Sequence, residues 1–393
     1  MIKNNSSTSR VLRLKYRADI DGLRAIAVFS VVCFHAFPDW LEGGFMGVDV
    51  FFVISGYLIS IIVFESLEEN RFSFNDFYGR RIRRIFPALI LVLLFCYVFG
   101  WFTLLADEYQ QLGKHMAAGA TFLSNFILWR ESGYFDTAAE TKPLLHLWSL
   151  GIEEQFYIIW PPLLWLAFKQ RIKLIYVVLS LGVISFVFNI CSISFNSIAA
   201  FYSPQTRFWE LIIGSLLSLI FLKKYCVKFF EPYNTLLSVS GLILVFISFI
   251  FLSKRSVPGY CALLPTIGTA LLLLTRDSWI NRKILACQLM VWLGLISFPL
   301  YLWHWPLLSF GHILKGDELT TLMKFGLVLL SVVLAMITYQ FIEKPIRSPV
   351  QNKFKTIALG LFMIIIAFLG FNLYLREGLE FRYKKLILDP QVF

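Results

Sequence analysis

Residues 19–37 read DIDGLRAIAVFSVVCFHAF, with two acids and an arginine at the head and one histidine near the far end of an apolar run. A helix needs about 20 apolar residues to cross a bilayer core, fewer where neighbours cover its ends, so residues 20–38 predict a membrane span. Arg24 and His35 stand eleven positions apart. In a helix that spacing is about 16 Å of rise and about 20° of rotation beyond whole turns. One face of one span therefore carries a fixed cation toward one membrane surface and a titratable imidazole toward the other. Histidine is the usual general base near neutral pH. The same pair equally fits an arginine reaching to the interface and a histidine satisfied by a neighbouring carbonyl.

The rest of the 393 residues repeats this pattern of apolar runs with short charged punctuation. Hydrophobic residues make up 58% of the chain and charged ones 16%, against about 45–50% and about 25% in a soluble domain. One soluble core cannot hide that excess, because a soluble surface needs polar cover. Runs near 20–38, 45–65, 85–105, 147–168, 173–190, 205–222, 235–252, 259–275, 286–310, 322–342 and 355–375 predict an all-α polytopic membrane protein of eleven spans. A further run at 115–130 is short and has Lys114, His115, Ser124 and Asn125 in or beside it. Letting it cross would put KQRIK (169–173) and the later basic clusters outside, against the positive-inside bias. The reading is therefore an N-terminus in the cytoplasm, a C-terminus outside, and a long outer loop over 106–146 with an interfacial or re-entrant helix. The segments are a cytoplasmic tail (1–19), a membrane domain (20–350), an additional span (351–375) and an outer tail (376–393).

The net charge of +11 sits mainly in the loops, where it orients the chain, and this argues against a nucleic-acid partner. The six cysteines are scattered without a CxxC pair and read as small buried hydrophobes, neither disulfides nor metal ligands. Residues 1–23 are polar and basic, with no evident cleavable signal peptide. No internal repeat of the transporter kind is visible.

Charged side chains within a bilayer cost about 3 kcal/mol or more each and mark sites by default. In GGFMGVDVFFVISGYL (43–58), Asp49 orients His35, pairs with Arg24 or lies at the outer interface. In RRIRRIFP (80–87), Arg81 projects with Arg84 and Arg80 with Arg83. Paired guanidiniums suit phosphate groups, although basic clusters after a second span are also ordinary. HLWSLGIEEQFYIIWPP (146–162) sets Glu153 and Glu154 in an apolar helix, about 100° apart, so one faces a cavity and the other must pair or be protonated. In TRFWELIIG (206–214), Arg207 and Glu210 are spaced to pair with each other or brace a site. FPLYLWHWPLL (298–308) places Tyr301 and His304 one turn apart among Trp303 and Trp305, as an interfacial belt or a sugar platform. Neither GxSxG, a phosphate-binding loop nor metal-type spacing is present. These residues leave a membrane enzyme and a proton-coupled transporter both open.

Six stretches in order, DIDGLRAIAVFSVVCFHAF (19–37), GGFMGVDVFFVISGYLIS (43–60), FYGRRIRRIFPAL (77–89), LLHLWSLGIEEQFYIIWP (144–161), SFPLYLWHWPLL (297–308) and FIEKPIR (341–347), resemble the acyltransferase-3 family of bacterial membrane acyltransferases. The resemblance covers roughly residues 16–350. It is strongest to the branch that O-acetylates lipopolysaccharide O-antigen, peptidoglycan or other surface polysaccharides. The family's Arg-x10-His pair falls on Arg24 and His35. Its RxxR motif falls on Arg81 and Arg84, with Arg80 and Arg83 as the overlapping alternative, and its WSLxxEEQFY motif on Trp148 to Tyr157. The resemblance implies an inner-membrane enzyme without a metal, with acetyl-CoA as cytoplasmic donor and an extracytoplasmic carbohydrate hydroxyl as acceptor.

On that reading Arg81 and Arg84 hold the donor phosphates, and Arg24 stabilises charge at the thioester or positions the acetyl arm. His35 acts as base toward the sugar hydroxyl or takes the acetyl itself, Asp49 or a glutamate orients it, and Tyr301, His304 and Trp305 bind the acceptor. Many members of this branch continue past an eleventh span into an extracytoplasmic esterase-like domain. This sequence ends at Phe393, which implies a truncated, split or shortened enzyme and, as partner, a separate extracytoplasmic esterase-like domain or protein. The competing expectations are a proton-coupled sugar transporter or flippase relaying protons through His35, Glu153 and Glu154, and a non-catalytic membrane anchor.

Overall fold

The computed structural model describes residues 16–132, 139–223, 227–253, 259–347 and 353–382. Most of the tails expected at 1–19 and 376–393, and part of the loop expected at 106–146, lie outside the described residues. The helices are α1 (Ala18–Ala36), α2 (Gly47–Glu68), α3 (Phe74–Thr103), α4 (Ala106–Ala120), α5 (Ser124–Glu131), α6 (Leu147–Lys169), α7 (Leu174–Phe195), α8 (Ser197–Tyr202) and α9 (Pro204–Leu222). They continue as α10 (Val227–Phe230), α11 (Asn234–Phe251), α12 (Leu263–Leu274), α13 (Gln288–Leu295), α14 (Ser297–Lys315), α15 (Thr321–Ile337), α16 (Lys344–Ile346) and α17 (Lys353–Leu375). No strand occurs among the described residues. Each of the eleven stretches read as a span falls on a helix. Among the described residues, seven helical segments are long and apolar enough to cross a membrane by length and composition alone, and the bent pair α13–α14 makes an eighth if it is one span. The chain is a multi-pass helical membrane protein.

Burial separates the centre of the bundle from its rim. The apolar stretch of α2 is 78% buried inside the protein, whereas those of α7 and α15 are 17% buried and that of α17 is 22% buried. The latter three present Phe, Leu and Ile outward, as lipid-facing helices do. α2 lies against α9 at backbone distance, and two glycines permit it. A Cβ on Gly56 would stand 1.8 Å from the Leu211 carbonyl oxygen, and one on Gly214 would stand 2.0 Å from that of Val53. This is the small-residue contact by which helices approach closely in lipid.

Two expectations change. The apolar run 286–310 is not one straight helix but breaks at Ile296, where α13 and α14 meet at 61°. Pro299 sits in the first turn of α14, where its missing N–H leaves no intrahelical bond unmade. The break starts α14 inside the bundle. The region 106–146 is also more regular than a loop with one helix, since α4 and α5 are joined by a tight turn with Phe122 at φ +59°. Gln155 of α6 holds that turn by donating to the Phe122 carbonyl at 2.7 Å.

α4 is clamped from outside by α17. Gln110 donates to the Tyr374 carbonyl at 3.0 Å, and the Arg382 guanidinium lies 4.0 Å over the Tyr109 ring. α5 is anchored through Glu131, whose carboxylate meets Lys114 Nζ at 2.7 Å, His115 Nε2 at 2.9 Å and Lys142 Nζ at 3.3 Å. Burial pushes the Glu131 carboxyl up, but hydrogen bonds and charge from His115 and Lys114 outweigh it and hold the group down to about 2 from its ordinary 4.5. A carboxyl so depressed stabilises the fold fully above its unfolded value and loses that contribution as pH falls through the folded value. The wild-type protein is therefore expected to melt higher than Glu131→Gln near neutral pH, with the gap closing between about pH 4.5 and about pH 2, as read by thermal denaturation in detergent.

Candidate functional site

α1, α2, α3, α6 and α14 converge on two cavities stacked along the bundle. The first is lined by Arg24, Arg81, Arg84, Glu153, Glu154 and Tyr157 among others. Three guanidiniums thus face two carboxylates. Glu153 accepts hydrogen bonds from Ser55 Oγ and from Tyr157 OH, which ties it to α2 and to its own helix. Glu154, one residue on, is 6% exposed and its Oε1 has no hydrogen-bond partner among the described residues. Arg24 Nη1 lies 3.6 Å from Asp21, which also accepts a hydrogen bond from Tyr16 OH at 2.5 Å. Arg81 stands 5.9 Å over the Tyr157 ring. Neither Arg81 nor Arg84 is ion-paired among the described residues. Their charge is directed into the cavity.

The structure also chooses between the two registers of RRIRR. Arg81 and Arg84 line the cavity, whereas Arg83 points to the other side of α3 and donates to Thr356 Oγ1 of α17 at 2.7 Å. Arg80 is exposed. Arg80 and Arg83 do not line this cavity.

The second cavity is walled by His35, Trp148, Phe201, Tyr202, Tyr301 and Trp305 among others. His35 Nδ1 lies 2.9 Å from His304 Nε2, and the two rings are nearly parallel with centroids 5.1 Å apart. Trp305 packs its ring 4.4 Å from that of His35 and donates its indole N–H to the Lys142 carbonyl at 2.8 Å. His304 is fully buried behind this wall, so it touches His35 and does not line the cavity. The expectation that it faces an acceptor with Tyr301 and Trp305 is corrected to that extent.

The two cavities share Val48 and Tyr301. Along α14, Ser297 lines the first cavity, Tyr301 both and Trp305 the second, each one turn beyond the last. Along α1, Arg24 lines the first, while Val31 and His35 line the second. The eleven-residue spacing on one helix face is realised as a cation in one chamber and an imidazole in the next. Tyr301 is locked in place, with its hydroxyl 2.6 Å from Ser149 Oγ and donating to the His146 carbonyl at 2.8 Å.

Asp49 is elsewhere. It pairs neither with Arg24 nor with His35 but accepts from Arg207 Nη2 at 3.2 Å, and Arg207 Nη1 lies 3.1 Å from Glu210. All three are at most 1% exposed, and the guanidinium sits 5.6 Å from the Phe52 ring centre and 5.9 Å from those of Trp148 and Phe201. Asp49 is thus part of a buried ion cluster behind the aromatic walls. The sequence reading missed His146, buried with its ring centre 5.8 Å from that of His304 and 5.4 Å from that of Tyr301. A histidine at the head of a span that already carried two glutamates was its only signal. Among the described residues, no group of three or more His, Cys, Asp or Glu could hold a metal ion.

Helix bundle and chambers together define a membrane protein with a buried polar site, cationic at one end and imidazole-bearing at the other. The family model described as an acyltransferase domain matches residues 17–341, and the chain belongs to that family, the acyltransferase-3 family its motifs resemble. A Staphylococcus aureus protein named "Putative O-acetyltransferase" is 32% identical over 358 residues, which cover 85% of this chain and 58% of that protein. A Bacillus subtilis protein named "Putative peptidoglycan O-acetyltransferase" is 32% identical over 372 residues, 85% of this chain and 55% of its own. The "Peptidoglycan O-acetyltransferase OatA" of Listeria monocytogenes is 30% identical over 367 residues, 86% of this chain and 57% of its own. The chain thus spans somewhat over half the length of these relatives. No solved structure matches it.

Proposed function

We propose that this chain is a membrane O-acetyltransferase that receives acetyl-CoA in the arginine chamber and passes the acetyl group to a carbohydrate hydroxyl in the histidine chamber. The observation that carries this reading is the shared wall of Val48 and Tyr301, which sets a phosphate-suited chamber and a base-bearing chamber back to back. A large anionic donor and a polymeric acceptor then need never share one compartment. The guanidiniums of Arg81 and Arg84, not ion-paired among the described residues, suit the donor's phosphates, and Arg24 lines the same chamber. The thioester carbonyl reaches the wall, the acceptor oxygen attacks it from the histidine side, and His35 takes the hydroxyl proton. The carbon–oxygen bond forms as the carbon–sulfur bond breaks, and the leaving thiolate is protonated and stays with the donor. Glu153 and Glu154 balance the arginine charge so that the product can leave.

The same reading orients the chain with its N-terminus and arginine chamber at the cytoplasm, eleven spans across the bacterial inner membrane, and the histidine chamber outside. The acceptor is a surface polysaccharide, with peptidoglycan favoured by the names of two relatives and O-antigen or exopolysaccharide of the same chemical class. An extracytoplasmic esterase-like domain or protein is the proposed partner in delivery.

Thiol release from acetyl-CoA by the protein in proteoliposomes, with and without added glycan, tests this. Arg81→Gln/Arg84→Gln is expected to raise the donor KM about 10- to 100-fold, as loss of two charge-assisted contacts should, with kcat largely kept. An unchanged KM removes the donor assignment. Wild-type protein that neither binds acetyl-CoA nor releases thiol, yet moves intact sugar, overturns the reading altogether.

A further inference from the structure

We infer that His304 is a positioning residue that fixes the tautomer of His35, accepting a hydrogen bond from its Nδ1–H and so making Nε2 the basic nitrogen. The catalytic consequence rests on the acetyl-transfer reading, whereas the tautomer itself does not.

The assignment follows from a chain of three groups. At its inner end is the Leu300 carbonyl, which can only accept. His304 Nδ1 lies 3.2 Å from that oxygen, so Nδ1 carries the proton of this ring. His304 is 0% exposed and its neighbours include Tyr301, Trp303 and Trp305, with no carboxylate paired to it among the described residues. An isolated imidazolium there would be costly. A neutral imidazole has one N–H and one lone pair, so the lone pair of His304 is at Nε2. His35 Nδ1 stands 2.9 Å from it. Two lone pairs cannot hydrogen-bond, so the proton between the rings belongs to His35 Nδ1. In its neutral form His35 then has its lone pair at Nε2.

The surroundings hold this chain in register. Trp303 donates to Thr338 Oγ1 at 2.9 Å, and Trp305 donates to the Lys142 carbonyl at 2.8 Å, so the residues on either side of His304 are each pinned to a different element. The near-parallel rings, 12° apart, keep the Nδ1–Nε2 contact in both ring planes. In the transfer step, the hydroxyl proton moves to His35 Nε2 as the acceptor oxygen bonds to the acetyl carbon and the thiolate departs. The imidazolium so formed keeps its Nδ1–H on His304, whose lone pair stabilises the new charge, and then returns the Nε2 proton to the thiolate. A rotated or opposite tautomer presents an N–H where a base is needed.

The test has two arms. In the first, protein with ¹⁵N-labelled histidine is reconstituted in nanodiscs and its five histidines are resolved by NMR, with His35 assigned through His35→Gln. Wild type is expected to show His35 protonated at Nδ1, and His304→Phe to shift that proton toward Nε2. A wild-type His35 protonated at Nε2 overturns the inference, whatever the variants do. In the second arm, thiol release is compared between His304→Phe, which removes the acceptor atom, and His304→Gln, whose side-chain carbonyl restores it. The Phe variant is expected to lose about 100-fold in kcat with the donor KM unchanged, and the Gln variant to regain at least about tenfold of that loss. Equal loss in the two means that His304 only fills space, and the inference fails. If the tautomer is as stated while wild type turns over no donor, the acetyl-transfer reading fails and the hydrogen-bond assignment stands.

Discussion

His35→Gln is expected to lower acetyl transfer to a carbohydrate acceptor by about 10²- to 10⁴-fold, the range over which a positioned general acid–base contributes. Glutamine keeps a side-chain N–H able to donate to His304 Nε2, so the contact across α1 and α14 survives while the base is lost. Donor binding should stay within about twofold of wild type, because the guanidiniums suited to the donor line the other chamber. The pair of measurements is acetyl-CoA affinity by calorimetry and O-acetylated product by mass spectrometry. A His35→Gln protein that transfers acetyl at the wild-type rate sinks the assignment of the base. A variant that loses donor affinity instead places His35 in the donor site.

Arg207→Leu is expected to cost about 3–5 kcal/mol of stability, the penalty of leaving a buried ionic partner uncompensated. Arg207 is the sole cation between Asp49 and Glu210, all within a region at most 1% exposed. Its removal strands two carboxylates beside Phe52, Trp148 and Phe201. Melting in detergent, followed by intrinsic fluorescence, should drop accordingly. Neutralising the whole cluster with Asp49→Asn, Arg207→Leu and Glu210→Gln should recover part of the loss, since a replaced set of buried charges is often tolerated where a broken one is not. A single variant within about 1 kcal/mol of wild type would mean that water or a relaxed backbone already solvates the acids.

Helix after helix was legible because a bilayer demands long apolar runs and the positive loops between them mark the ends. Every expected span is helical, although 286–310 is divided between α13 and α14. Arg24 and His35 were also legible, since an eleven-residue spacing decides a helix face without any neighbour. What needed a neighbour was lost. RRIRR contains two equivalent pairs, and only the position of Thr356, some 270 residues on, shows that Arg83 faces α17 while Arg81 and Arg84 face the cavity. Asp49 had two plausible partners, Arg24 and His35, both on α1, and the actual one, Arg207, lies on α9. The break in the apolar run 286–310 had one signal, Pro299, just past the bend at Ile296, but Leu295, Ile296 and Phe298 around it are as good in a straight helix as at a bend. His304 read as a sugar-facing residue because a tryptophan-rich stretch hides which side of a helix looks inward.

α14 starts inside the bundle and sends Tyr301 across the axis, where it and Val48 form the wall common to both chambers. A cell that lives on a proton gradient cannot tolerate a wetted channel through its envelope, even a narrow one. Among the described residues the wall is a phenol ring and an isopropyl group, with the phenol hydroxyl already committed to Ser149 and the His146 carbonyl. Such a wall offers a hydrated ion nothing to hold. On the acetyl-transfer reading, a small, neutral acyl group passes this wall while charged species are kept on their own side.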